Sequence, residues 1–140
     1  MTPSDIAAIR ADFAIVARAP DDFAARFYAR LFTLDPALRV LFPDDLSEQR
    51  RKLVQALAMV VAGLDRLDDI LPAVQGLGAR HGDYGVQPEH YAIVGEAILG
   101  TLEETLGGGF GAANRAAWGE AYATLADVMV AASEARVVAA

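Results

Sequence analysis

A single imidazole lies on the apolar face of a predicted helix. Ile70, Val74 and Leu77 precede His81 at spacings of eleven, seven and four residues, so the four side chains share one face of an α-helix. A histidine on such a face is either hydrogen-bonded inside the core or bound to a metal. Any fold of this chain therefore has to place a helical core around this ring.

Helix signals follow one another along the whole chain. Thr2, Pro3 and Asp5 predict a capped first helix, and Asp45 or Ser47 can cap a later one. There is no sustained period-two alternation of apolar residues and no Asn-Gly or Asp-Gly hairpin. Helix breaks are predicted near residues 19–20, 35–36, 43–45, 63, 82–85 and 107–109. We expect an all-α fold of about six to eight helices, in a single domain spanning residues 1–140.

Composition and charge narrow the classes of partner and site. The net charge is −7 and no basic cluster is present, so we expect no nucleic-acid partner. Without cysteine, the chain cannot form disulfides, iron–sulfur clusters, cysteine zinc sites or thioether links to a cofactor. The first residues lack the pattern of a signal peptide, and charges interrupt every long apolar stretch. We expect a cytoplasmic protein without stable membrane insertion, either a monomer or a homodimer.

The second histidine does not complete a metal site with the first. His90 follows His81 by nine residues and stands at a predicted helix start beside Pro88. A zinc site needs three or four ligands at compatible spacing. We therefore expect no metal site that joins the two histidines.

The order of several motifs resembles the globin family, and most closely the single-domain bacterial haemoglobins and the globin domain of flavohaemoglobins. The resemblance runs from Ile6 to about Ala132. Each motif is weak alone, but their joint order and spacing make coincidence improbable. The motifs are FY at 27–28, PALRVLF at 36–42, ILPAV at 70–74, GVQPEHYAIVGE at 85–96 and WGEAY at 118–122. The resemblance implies a globin fold, a 3-on-3 helical sandwich around one haem.

Matched by position, four residues correspond to the side of the haem where gases bind. The resemblance implies that Tyr28 is the distal tyrosine, whose hydroxyl donates to bound oxygen, and that Gln49 is the distal polar residue. It also implies that Phe42 stacks against the porphyrin and that Leu53 lies above the iron. From its sequence alone, Gln49 can equally be an ordinary exposed helix residue.

On the opposite side, the resemblance implies that His81 binds the haem iron and that Tyr91 stands behind it. In flavohaemoglobins a glutamate on the last helix works with that tyrosine. Here Ser133 occupies the position of the glutamate, and Glu134 lies one residue on, about 100° round a helix. We therefore expect a weaker electronic push on the iron. The remaining apolar pocket positions that the resemblance implies are Leu57, Leu77, Val86 and Val94.

The resemblance also implies the cofactor, haem b, held non-covalently. Lys52 and Arg80 can contact its propionates, although both can equally be solvated surface cations. The function implied is reversible binding of oxygen, with nitric oxide and carbon monoxide as further ligands. The alternatives are a nitric-oxide dioxygenase served by a separate reductase, a haem-based gas or redox sensor, and a haemless helical interaction module.

Overall fold

The computed structural model describes residues 1–139, with side chains as far as Glu134, so Ala140 of the expected 1–140 domain lies outside it. Across these residues the backbone forms six α-helices and two short 3-10 helices, with no strand. The α-helices are α1 (Pro3–Val16), α2 (Pro20–Leu34), α3 (Ser47–Ala62), α4 (Leu67–Asp83), α5 (His90–Leu106) and α6 (Ala112–Ala139). The 3-10 helices span Pro36–Leu41 and Gly107–Gly109. The predicted helical class and the predicted helix breaks are confirmed.

The start of α1 is a reciprocal cap of the predicted kind. The Thr2 hydroxyl accepts from the Asp5 N–H at 3.1 Å, and the Asp5 carboxylate accepts from the Thr2 N–H at 3.0 Å. The start of α3 differs from the expectation. Ser47 is the first helical residue and Leu46 is the cap, while the Asp45 carboxylate accepts from both the N–H and the hydroxyl of Ser47.

The helices pack on one another in pairs. α4 packs on α6, α2 packs on α5 and on α3, α1 packs on α6 and on α3, and α5 packs on α6. The core between them is built from buried aliphatic and aromatic side chains, among them Ile9, Phe23, Phe27, Leu31 and Leu102. Among residues 1–139, no helix has the length and apolar character needed to cross a membrane.

One buried carboxylate ties α1 to α6. Asp12 is only 6% exposed, and its oxygens accept from the Trp118 indole N–H at 3.0 Å and the Asn114 amide at 2.9 Å. No basic side chain among the described residues hydrogen-bonds it. Because a buried indole and amide need acceptors, this carboxylate fixes the register of the first helix against the last.

Replacing Asp12 with alanine should lower the free energy of unfolding by about 2–4 kcal/mol, because the substitution leaves the buried indole of Trp118 and the half-buried amide of Asn114 without this acceptor. The measurement is urea unfolding followed by Trp118 fluorescence. Asp127→Ala removes an exposed carboxylate from α6 and should change stability by less than about 0.5 kcal/mol. Equal effects of the two substitutions would contradict the role given to Asp12.

Candidate functional site

Three aromatic rings form a closed cluster where α2 meets the corner before α3. The ring of Tyr28 lies 5.6 Å from that of Phe42 and 6.0 Å from that of Phe32, and the rings of Phe32 and Phe42 are 5.4 Å apart. The two contacts of Phe42 are edge-to-face, an arrangement that aromatic rings favour. The structure thus brings together Tyr28 and Phe42, two residues that the resemblance assigns to one side of the haem, and adds Phe32.

The hydroxyl of Tyr28 is a buried, neutral donor. Tyr28 is 5% exposed, and burial raises the pKa of its phenol to about 12. Its O–H points to the backbone carbonyl of Gln49 at 3.5 Å, the long limit of a hydrogen bond. The Gln49 side chain is half-buried in the first turn of α3 and makes no hydrogen bond with the described residues. Tyr28 is therefore free to turn its proton to a better acceptor.

The apolar residues expected around the site lie on four different segments. Leu53 and Leu57 on α3 and Val94 on α5 are half-buried and pack against the core. Leu77 on α4 and Val86 in the turn beyond it are also half-buried. Because these side chains remain partly uncovered, they offer apolar surface to a large flat ligand.

His81 lies in the last turn of α4, half-buried. Its Nδ1 is 2.6 Å from the carbonyl oxygen of Leu77, and because a carbonyl can only accept, Nδ1 carries the proton. Burial lowers the pKa of His81 and keeps the ring neutral. The other ring nitrogen, Nε2, has its lone pair free and makes no hydrogen bond with the described residues. This imidazole is thus oriented by the backbone and ready to bind a metal.

The turn after α4 carries the chain from His81 towards the aromatic cluster. The Val86 N–H donates to the His81 carbonyl at 3.0 Å, and Gly85 has a φ of 90°. That backbone conformation favours glycine, which explains why α4 ends here. A Cβ on Gly85 would lie 3.5 Å from Leu41 Cδ2, so this turn borders the corner that holds Phe42.

Two glycines bring α4 close to α6 on either side of His81. A Cβ on Gly78 would lie 2.5 Å from the Cα of Met129, and a Cβ on Gly82 would collide with the Ser133 hydroxyl. Real Cβ atoms do not come this close to a neighbouring backbone. The backbone that carries His81 is therefore held against α6 by the absence of these two side chains.

Gly78→Ala should destabilise the protein by about 1–3 kcal/mol, because the new methyl group forces α4 away from α6. Gly119→Ala is the matched control, since a Cβ on this helical glycine would have no neighbour within 4 Å. Its greater helix propensity should stabilise the protein by about 0.5–1 kcal/mol. Thermal and urea unfolding of both variants test this, and a neutral Gly78→Ala would contradict the close crossing.

Tyr91 is buried on α5. Its hydroxyl makes no hydrogen bond with the described residues, and its carbonyl accepts from the Tyr122 hydroxyl at 2.6 Å. Burial raises the pKa of both phenols. Ser133 faces Gly82, and Glu134 is exposed. No carboxylate among the described residues therefore pairs with Tyr91 or with the His81 ring.

The two cationic candidates are surface side chains. Lys52 and Arg80 are both exposed, and neither forms an ion pair with the described residues. The Arg80 guanidinium folds back along α4, 3.4 Å from where a Cβ on Gly76 would lie. His90 has a different role, since its Nδ1 accepts from the Gln87 N–H at 2.9 Å before the start of α5.

The donor set suits haem better than a bare metal ion. Among the described residues no group of three or more histidine, aspartate and glutamate side chains could hold a metal. A single neutral imidazole is enough for an iron whose four remaining nitrogen ligands would come from a porphyrin. The half-buried apolar side chains, with Phe42 among them, suit the faces of that ring. The residues present therefore fit a haem with His81 as its one protein ligand.

Sequence reasoning missed four contributors to this region. Phe32 has no polar group to mark it, and Arg39 stands inside the PALRVLF motif without a recognised role. Gly78 and Gly82 belong to a glycine-rich helix, in which small residues indicate close packing but do not identify the partner helix.

Comparison with known proteins agrees with this geometry. A family model described as Globin matches residues 25–129. A flavohemoprotein of Bacillus subtilis (strain 168) is 33% identical over 113 residues, which are 79% of this chain and 28% of that protein. The chain thus spans less than a third of that relative's length. A solved bacterial globin from Campylobacter jejuni has a TM-score of 0.85 and 25% sequence identity, with 95% of this chain and 96% of that chain covered. The 3-on-3 helical fold is confirmed.

Proposed function

The chain belongs to the globin family, and we propose that it is a single globin domain that holds haem b non-covalently and binds oxygen reversibly, with nitric oxide and carbon monoxide as further ligands. The observation that carries this proposal is the buried Tyr28 hydroxyl beside Phe42, in a fold that also presents the free Nε2 of His81. We place the protein in the cytoplasm as an oxygen carrier, store or delivery protein.

On the proximal side, His81 Nε2 is the iron ligand in this proposal, and Leu77 fixes the ring by accepting from Nδ1. The close packing of α4 on α6 at Gly78 and Gly82 keeps the His81 imidazole at a fixed position relative to α6. When bound, ferrous haem supplies a coordination position at which diatomic gases bind reversibly. Phe42, Leu53, Leu57, Leu77, Val86 and Val94 cover the porphyrin and keep water out.

On the distal side, Tyr28 supplies the donor to the bound gas. Oxygen draws electron density when it binds, so a neutral O–H in a dry site stabilises it and slows its release. The hydroxyl needs only to turn from its long contact with the Gln49 carbonyl. Gln49 is a second candidate donor, since its half-buried amide has no other partner in the described part of the chain. Lys52 and Arg80, which are both exposed, remain candidates for contact with the haem propionates.

The alternative is nitric-oxide dioxygenation with a separate reductase. The similarity to a flavohemoprotein and the buried Tyr28 favour it. The proximal side disfavours it, because Ser133 faces Gly82 and no carboxylate among the described residues hydrogen-bonds to the His81 ring. An imidazole that donates only to a backbone carbonyl has less anionic character than one that donates to a carboxylate.

Oxygen binding and sustained turnover can be separated in one preparation. The ferrous protein should bind and release oxygen over repeated cycles, and the spectra of the oxygen-bound and oxygen-free forms should stay the same from one cycle to the next. With a supplied flavin reductase and NADH, the protein should consume about one nitric oxide per haem, and the consumption should then stop. Sustained consumption would support the dioxygenase instead, and failure to release oxygen would contradict the carrier.

A further inference from the structure

The guanidinium of Arg39 hydrogen-bonds to the backbone of the corner that follows it, residues 42–44. Its N–H groups donate to the carbonyl oxygens of Phe42 at 3.3 Å, Pro43 at 2.9 Å and Asp44 at 3.1 Å. No other described residue donates to these three carbonyls. One side chain therefore satisfies three consecutive acceptors in a segment that belongs to no helix.

The same guanidinium lies over the Phe32 ring of the aromatic cluster. Its central carbon lies 5.3 Å from the centre of the Phe32 ring, within the range of a cation–π interaction. Phe32 in turn contacts the rings of Phe42 and Tyr28. Arg39 thus acts on Phe42 twice, through its backbone carbonyl and through the neighbouring ring.

The corner has few other restraints. Asp35 caps the start of the preceding 3-10 helix by accepting from the Ala37 N–H at 3.1 Å, but this bond lies at the other end of that helix. Phe42 itself has extended backbone, and its N–H donates to the Arg39 carbonyl at 3.2 Å. The planar fork of an arginine can reach several carbonyls at once, which a lysine ammonium on its flexible stem cannot do to the same extent.

We propose that Arg39 is a positioning residue that clamps the 42–44 segment and thereby sets the place of Phe42 and, through Phe32, of Tyr28. The role in haem binding rests on the function proposed above, whereas the clamp itself does not. An ordinary surface cation would pair with a carboxylate, yet Arg39 directs its donors at backbone oxygens and its face at a ring.

The test uses the haem-loaded full chain and three variants. Arg39→Met keeps much of the aliphatic stem and removes every donor, and Arg39→Lys keeps the charge without the fork. Arg51→Met is the control, because Arg51 is 54% exposed and pairs only with Glu48 on its own helix. Each protein is assayed for haem transfer to an acceptor apoprotein, for hydrogen exchange at the Phe42 amide, which donates to the Arg39 carbonyl, and for the C–O stretching band of its carbon monoxide complex.

Arg39→Met should lose haem about tenfold faster than the parent chain, exchange the Phe42 amide about tenfold faster and broaden the C–O band, since three charge-assisted bonds are gone. Arg39→Lys should fall between, and Arg51→Met should match the parent. Unchanged exchange in Arg39→Met would overturn the clamp, and faster exchange with unchanged haem loss would overturn the positioning role. A parent chain without haem absorption would overturn the proposed function, while exchange in the same variants would still decide on the clamp.

Discussion

His81→Gly is expected to leave a helical protein that cannot retain haem. Removal of a partner that only orients a metal ligand lowers metal affinity by about 10- to 100-fold, so removal of the ligand itself should exceed about 100-fold. The substitution takes away the only imidazole on the inner face of α4. Haem loss is measured by transfer to an acceptor apoprotein, and far-UV circular dichroism reports whether the chain is folded.

The other histidine supplies the control. His90→Ala removes a ring that only accepts from the Gln87 N–H before α5, and should leave haem retention within about twofold of the parent. Free imidazole should restore haem binding to His81→Gly, because it can occupy the space and supply the same nitrogen. Haem retained at the parent level by His81→Gly, without imidazole, would rule out the proposed ligand.

The second large effect concerns oxygen release. Tyr28→Phe should speed oxygen dissociation by about 10- to 100-fold, because a buried donor to a partly charged acceptor contributes about 1.5–3 kcal/mol. The ring remains, so its contacts with Phe32 and Phe42 should persist. Stopped-flow dissociation measures the rate. Tyr84→Phe changes a tyrosine that is 62% exposed and should leave the rate unaltered. An equal rate in both variants would mean that Tyr28 does not face the ligand.

The raised pKa of Tyr28 determines the pH range over which its hydroxyl can donate to bound oxygen. Burial raises it to about 12, above the ordinary value of 10.0, so the neutral O–H is favoured in the folded chain. The contribution of the neutral Tyr28 phenol to folding stability is fully present below the pKa of the unfolded chain. It is lost as the pH rises through the pKa of the folded chain. The Tyr28 contribution to oxygen dissociation should therefore stay constant between about pH 6 and about pH 9.

Sequence patterns predicted the helices better than their contacts. The cap of α1 and the breaks after α2, α3 and α4 follow from neighbouring residues, and local rules predict them. The tie from Asp12 to Asn114 joins residues 102 apart, and the crossing at Gly78 depends on Met129 of another helix. Periodicity does not identify such partners. The role of Arg39 was not predicted for a different reason. Its contacts are local, but they lie in an irregular corner, where no regular residue spacing indicates them.

The site was predicted mainly by family resemblance, since no local rule points from Tyr28 to Phe42. The structure brings these two rings together, orients His81 and leaves Lys52 and Arg80 exposed. The roles proposed for all of them depend on haem binding.

The most direct test is therefore the visible absorption spectrum of the full chain reconstituted with haem, recorded as the ferric form, as the dithionite-reduced form and after addition of carbon monoxide or oxygen. The account predicts a haem spectrum that is five-coordinate after reduction, shifts when either gas is added and returns when the gas is removed. A six-coordinate reduced spectrum that carbon monoxide does not change, or a protein that takes up no haem, would contradict it.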